Sequence, residues 1–293
     1  MPVFKLMRFS RLPRLVTWTL GIFFGLATIA PLPYAIVLPG EAQNIFKGVI
    51  TFKEIKNYPA TGRIDLMSIR VTNPDTWIFG PELVYSWISG DRAVYPKTAI
   101  YPAGTTAEEE SKQAKADMVG SQDNAIIAAV NYLQSHPEVM APLDDSTSKD
   151  SMISKARADA LDPKKITFKV SKTGGPSGGL IFSLGLIDLL TSEDLLKGRN
   201  IAGTGTIDVA GTIGPIGGVT EKIIGAKRAG ASVLFISTQN CGELPAKVEG
   251  IEVIAVEKID QAIDYLREPF SMGKTVGEEL NSAGIRGCAS VGA

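Results

Sequence analysis

The chain has 293 residues, 44% of them hydrophobic and 21% charged, which is material for one large domain or two modest ones around a sizeable core. A net charge of −1 without a basic stripe excludes the electrostatic footprint of a nucleic-acid-binding protein. One histidine, His136, and two cysteines, with no CxxC or HExxH spacing, offer neither a metal site nor a disulfide scaffold, and no cofactor is expected.

Residues 1–14 form a basic segment, with Lys5, Arg8, Arg11 and Arg14 and no acid; the other residues carry 26 basic and 31 acidic side chains. Leu15–Leu38 then runs for 24 residues without a charge. A helix of that length reaches roughly 36 Å, more than the about 30 Å of a bilayer's hydrocarbon core. The run therefore predicts a single transmembrane anchor. The basic flank would lie in the cytoplasm, and the bulk of the chain, from Glu41 on, outside. The competing reading is a signal peptide cleaved after Ala30; Pro31 and the apolar continuation through Tyr34–Leu38 speak for an uncleaved anchor.

Residues 40–135 read as an N-terminal portion of the extracytoplasmic region. Arg63–Val71 alternates as a strand, residues 106–118 are a charged helix, and Ser121 is placed as the cap of a second, apolar-striped helix. Residues 136–164 are polar and flanked by prolines, as in a linker. Residues 165–268 alternate strand and helix: strands over 166–170, 200–209, 233–237 and 251–257, helices over 180–190, 219–230 and 259–267. The expected fold class is α+β, with helices covering a mixed sheet. Residues 269–293 are expected as a flexible tail, and whether Cys241 and Cys288 pair is left open.

Two segments carry chemistry. Ser177 lies in GGPSGG, between a strand and an apolar helix whose free N–H groups and positive dipole end point at the turn, a setting suited to an oxyanion. Taken alone, the segment also reads as a tight turn with Ser177 as an N-cap. A nucleophilic serine needs a base, and His136, in the polar linker beside Pro137, is poorly placed for that work. Lys222 follows the glycine-rich turn TIGPIGGVT at the start of a helix with Ile223 and Ile224, where burial and the helix dipole favour the neutral amine. Its plain alternative is an exposed helix lysine beside Glu221.

GGPSGGLIFSLGLIDLL and NIAGTGTIDVAGTIGPIGGVTEKIIGAKRAGASVLFIS together resemble the two signature blocks of the Lon (S16) peptidase domain, over roughly residues 166–267. The resemblance puts Ser177 at the family's PSAG serine and Lys222 at its GG-x-x-EK lysine, 45 residues later, with Thr204 at the threonine of its TG motif. It implies a mixed-sheet Lon proteolytic fold, a Ser177–Lys222 dyad, Thr204 and Gly178 as orienting and oxyanion support, and a hexameric ring. The stretches PLPYAIVLPG, GRIDLMSIRV and SGDRAVYP are similar to bacterial membrane-anchored Lon-like proteins that lack an ATPase and usually carry a PDZ module. At residues 136–164 this chain has too few residues for one. It also has Gly174 where many Lon peptidases place an acidic residue, three before the serine. A P-loop ending in the GKT at 273–275 would need glycine at 268, which is Glu268, so ATP-driven unfolding is not expected.

The function expected is that of an ATP-independent serine endopeptidase acting on unfolded or flexible extracytoplasmic protein segments. The alternative is a membrane-tethered binding or assembly module with weak or lost peptidase activity; a histidine-based hydrolase using His136 is the third reading.

Overall fold

The computed structural model describes residues 13–140, 158, 161–170, 173–268 and 285–288. Most of the basic segment, most of the polar linker and most of the tail lie outside these.

The first helix, α1 (Arg14–Ile29), has 16 residues, none buried. The anchor expected over Leu15–Leu38 is thus corrected. The helix ends where Pro31 and Pro33 remove backbone donors, and the rest of the apolar run forms β1 (Pro31–Leu32) and β2 (Tyr34–Pro39). Among the described residues no helix is long and apolar enough to cross a membrane.

Next come β3 (Gln43–Asn44), β4 (Ile50–Phe52), β5 (Arg63–Leu66) and β6 (Ile69–Val71). The single strand expected over Arg63–Val71 is two, separated at Met67–Ser68, where Ser68 turns its carbonyl to the Gly40 amide at 2.9 Å. They continue as β7 (Ile78–Phe79), α2 (Gly80–Ile88), β8 (Ala93–Pro96) and the one-turn α3 (Lys97–Ile100). Helix α4 (Ala107–Ser135) is continuous over 29 residues and joins the two helices expected there. Its cap is Thr106, in a capping box with Glu109, and Ser121 lies mid-helix and buried.

The remaining elements are β9 (Ile166–Phe168), α5 (Gly179–Leu190), β10 (Asn200–Gly203), β11 (Thr206–Ile207), β12 (Ile213–Gly214), α6 (Val219–Arg228), β13 (Val233–Ser237), β14 (Glu252–Val256), α7 (Ile259–Arg267) and β15 (Ile285–Arg286). The strand expected over 200–209 is broken after Gly203, where the chain leaves the main sheet to form the β11–β12 hairpin.

The main sheet has the order β15-β14-β13-β10-β5-β3, parallel except for β3. It brings the N-terminal portion and the C-terminal strands into one mixed sheet, as the α+β expectation has it. Along β13, Val233 and Phe235 enter the core formed with α4, α5 and α7, while Leu234 and Ile236 enter a second core under α6. All twelve residues of α5 are buried, which explains an apolar sequence without an amphipathic period. A second, three-stranded sheet, β6-β2-β8, stands beside α6. Of the expected tail, residues 285–288 are held to the fold: β15 pairs with β14, and Cys288 is bonded to Cys241.

Candidate active site

The site is assembled where β10 ends. The Thr204 amide donates to Phe235 O at 2.9 Å, carrying the strand one residue further along β13. The chain then runs against the start of α5: the Gly205 amide donates to Ser177 O at 2.9 Å, and the Leu180 amide donates to Gly205 O at 3.1 Å. The Ser177 carbonyl also accepts the Thr204 hydroxyl at 3.2 Å. Three hydrogen bonds thus fix the backbone from the carbonyl of the candidate nucleophile to Leu180. A Cβ on Gly179 would come within 2.8 Å of the Ile207 amide nitrogen, so glycine is needed for this close approach.

Lys222 comes from the first turn of α6. Gly218 caps that helix in the left-handed conformation, φ 68°, with Ile69 against it. The turn directs Lys222 inward; it is 2% exposed, and its Nζ donates to Thr204 Oγ1 at 3.0 Å. Burial pulls its ammonium down from 10.5 to about 7, while the charges of Glu221 and Glu243 pull the other way. Glu221 is itself buried, which raises its carboxyl above the ordinary range, and Lys222 opposes that rise. The structure thus places a readily neutralised amine, a hydroxyl and the serine backbone in one chain of contacts, Lys222 to Thr204 to Ser177.

Ser177 and Lys222 line one cleft of about 750 Å³. No hydrogen bond joins Ser177 Oγ to Lys222 Nζ directly; Thr204 lies between them in the network. Gly178 is the N-cap residue of α5, in the right-handed helical region with Phe182 and Leu66 against it, at the end of the helix where backbone amides lack intrahelical partners. The edge strands β3 and β6 bound the cleft, through Gln43 and through Ile69 and Arg70.

Two positioning residues escaped the sequence reading. Ser121 Oγ donates to Pro176 O at 2.8 Å, tying α4 to the residue before the serine. The same helix accepts the Gly175 amide at Ala114 O, 2.7 Å, and a Cβ on Gly174 would meet Ala114 Cβ at 2.7 Å. Packing against α4 therefore dictates glycine at 174, where an acidic side chain has no room. Asn240, fully buried, accepts the Ile216 amide at 3.0 Å and donates to Ile216 O at 2.8 Å and to Glu243 at 2.8 Å. It secures the cleft wall of Pro215–Gly217. A polar residue on the apolar stripe of α4 was a visible signal for Ser121; Asn240, in a short 3₁₀ turn, had none.

His136 is the C-cap of α4, stacked on Tyr132 at 4.4 Å with Nδ1 3.1 Å from Tyr132 O, and it does not line the cleft.

Residues 148–268 match the Lon protease (S16) C-terminal proteolytic domain. Curated relatives include a Lon protease of Roseiflexus castenholzii, 34% identical over 108 residues (36% of this chain, 13% of that protein). Lon protease 1 of Sorangium cellulosum is 30% identical over 160 residues (53% and 18%), and Lon protease 2 of Bacillus subtilis is 27% identical over 144 residues (47% and 26%). The aligned region spans about an eighth to a quarter of the length of these relatives.

Proposed function

We propose that this chain, whose residues 148–268 match the Lon protease (S16) C-terminal proteolytic domain, is an ATP-independent serine endopeptidase with Ser177 as nucleophile and Lys222 as general base. The observation that carries the reading is the buried Lys222 amine, held by Thr204 in the cleft that Ser177 lines. A neutral amine that donates one N–H to Thr204 keeps its lone pair for the serine hydroxyl. As Ser177 Oγ attacks the scissile carbonyl, its proton passes to Lys222. Backbone amides at the Ser177–Gly178 turn, at the positive end of α5, stabilise the oxyanion. Lys222 then returns the proton to the leaving amine, and a water activated by the same amine hydrolyses the ester.

Edge strands β3 and β6 suit an extended peptide that adds itself as a strand. Such a mode selects unfolded or flexible segments. We further propose that α1, apolar and with no buried residue, attaches the protein to a membrane. A homo-oligomeric ring, hexameric as the resemblance implies, is part of the same proposal.

The test is cleavage of a denatured protein by purified full-length chain without ATP. Wild type is expected to cleave, and Ser177→Ala and Lys222→Met are each expected to lose at least about a thousandfold, the scale on which nucleophile and base act together. Wild-type rates in either variant would sink the dyad, and an inert wild type would leave the binding-module reading in its place.

A further inference from the structure

The pair α1–α2 carries an apolar surface turned outward. Helix α2 is built inside out: its one buried residue is the polar Ser86, whose Oγ has no hydrogen-bond partner, while Trp87 is 80% and Ile88 77% exposed, beside exposed Val84 and Tyr85. In a soluble helix the apolar stripe faces the core, and a contiguous exposed apolar patch marks a binding surface. The patch is continuous with α1. Strand β1, just after α1, pairs with β7, just before α2, through Pro31 with Phe79 and Leu32 with Ile78. Gly80 also packs on the last turn of α1, so tightly that a Cβ there would come within 2.5 Å of Ala27 O.

We propose that α2 is a second membrane-contacting element, lying in the lipid interface at the end of α1 opposite the basic segment. The occupant is a lipid surface for three reasons. Helix α1 is apolar on all faces, with Trp18, Phe23, Phe24 and Ile29 all exposed, whereas a protein partner covers one stripe. The α2 face combines Trp and Tyr with aliphatic residues, the composition of the interfacial belt, and Trp77 adds to it. The sequence leading into α1 carries Lys5, Arg8, Arg11 and Arg14, charges that suit anionic headgroups. Geometry agrees: 16 residues of helix reach about 24 Å, short of the roughly 30 Å core. An interfacial helix drawn to the boundary compensates a short span. This inference rests on the membrane attachment proposed above.

The experiment uses full-length chain with Trp18→Phe and Trp77→Phe, leaving Trp87 as the lone tryptophan, folding being checked by circular dichroism. It is mixed with phosphatidylcholine/phosphatidylglycerol vesicles carrying brominated acyl chains. The expected result is flotation with the vesicles and at least about twofold loss of Trp87 fluorescence. The further substitutions Trp87→Asp and Ile88→Asp are expected to weaken vesicle binding on the order of tenfold or more, as loss of two buried apolar side chains requires. Flotation with an unquenched Trp87 overturns the role of α2 and leaves the α1 attachment standing. Failure to float overturns both. A Trp87 shielded from bromine and from aqueous acrylamide alike, in a self-associated protein, assigns the face to a second copy and also overturns the proposal.

Discussion

Lys222 Nζ donates to Thr204 Oγ1 at 3.0 Å, and the same hydroxyl donates to the Ser177 carbonyl at 3.2 Å. Thr204 thereby sets where the amine's remaining lone pair points. Thr204→Val keeps the shape and removes the hydroxyl, leaving a buried amine with one partner fewer. The expected outcome is a fall in kcat of about ten- to a hundredfold with KM little changed, measured on a fluorogenic peptide. An unchanged kcat would remove Thr204 from the site.

The burial of Lys222 predicts a pH profile. With its ammonium lowered to about 7, kcat/KM is expected to rise tenfold per unit below pH 7 and to level off above it. Stability moves with it. In the unfolded chain this lysine titrates near 10.5, so between about 7 and 10.5 the unfolded state binds the extra proton, and stability rises with pH across that window. Lys222→Met is expected to raise the melting temperature at pH 7, by a margin that shrinks toward pH 10. A constant margin from pH 7 to 10 would contradict the buried neutral amine.

Asp188 gives the opposite sign. It is buried in α5, with Oδ1 accepting the Leu195 amide at 3.0 Å and Oδ2 unpaired. Burial raises its carboxyl from 3.8 to about 7, with Asp194 and Glu193 adding to the rise. Its contribution to stability is complete below about pH 4 and lost as pH climbs through 7. Asp188→Asn is expected to flatten the stability profile over this range, as read by urea unfolding at pH 4, 5.5 and 7.

The Cys241–Cys288 bridge closes a segment of 47 residues and holds β15 beside the turn that carries Asn240. Cys288→Ser is expected to cost about 2–5 kcal/mol of unfolding free energy. Asn240→Ala, which frees both polar groups of Ile216, is expected to raise KM more than it lowers kcat. Denaturant titration and steady-state kinetics check the two outcomes.

The elements legible in the sequence were those whose local signal and tertiary role agree. The apolar runs of β13 and β14 and the amphipathic α7 fall where periodicity puts them. Motif spacing grouped Ser177, Thr204 and Lys222; in the structure Ser177 and Lys222 line one cleft, and Thr204, buried behind it, bonds to both. What was misread depended on tertiary contacts. Arg63–Val71 reads as one strand, yet its alternation slips at the adjacent apolar pair Leu66–Met67, and the chain changes sheets at Met67–Ser68. Ser121 has a cap's chemistry, but its hydroxyl serves Pro176 from the middle of α4. Gly174 looked like a lost acid until Ala114 of α4 was found filling the space. The apolar run after Leu15 predicted one long helix, because periodicity does not register that β1 and β2 find strand partners beyond Ile29.

The most direct measurement of the central claim is the site and rate of covalent labelling by a fluorophosphonate, read by peptide mass spectrometry on the full-length chain. The account predicts a single adduct on Ser177, absent in Ser177→Ala and slowed at least about a hundredfold in Lys222→Met. An adduct on another serine, or equal labelling of Ser177 in Lys222→Met, would contradict it.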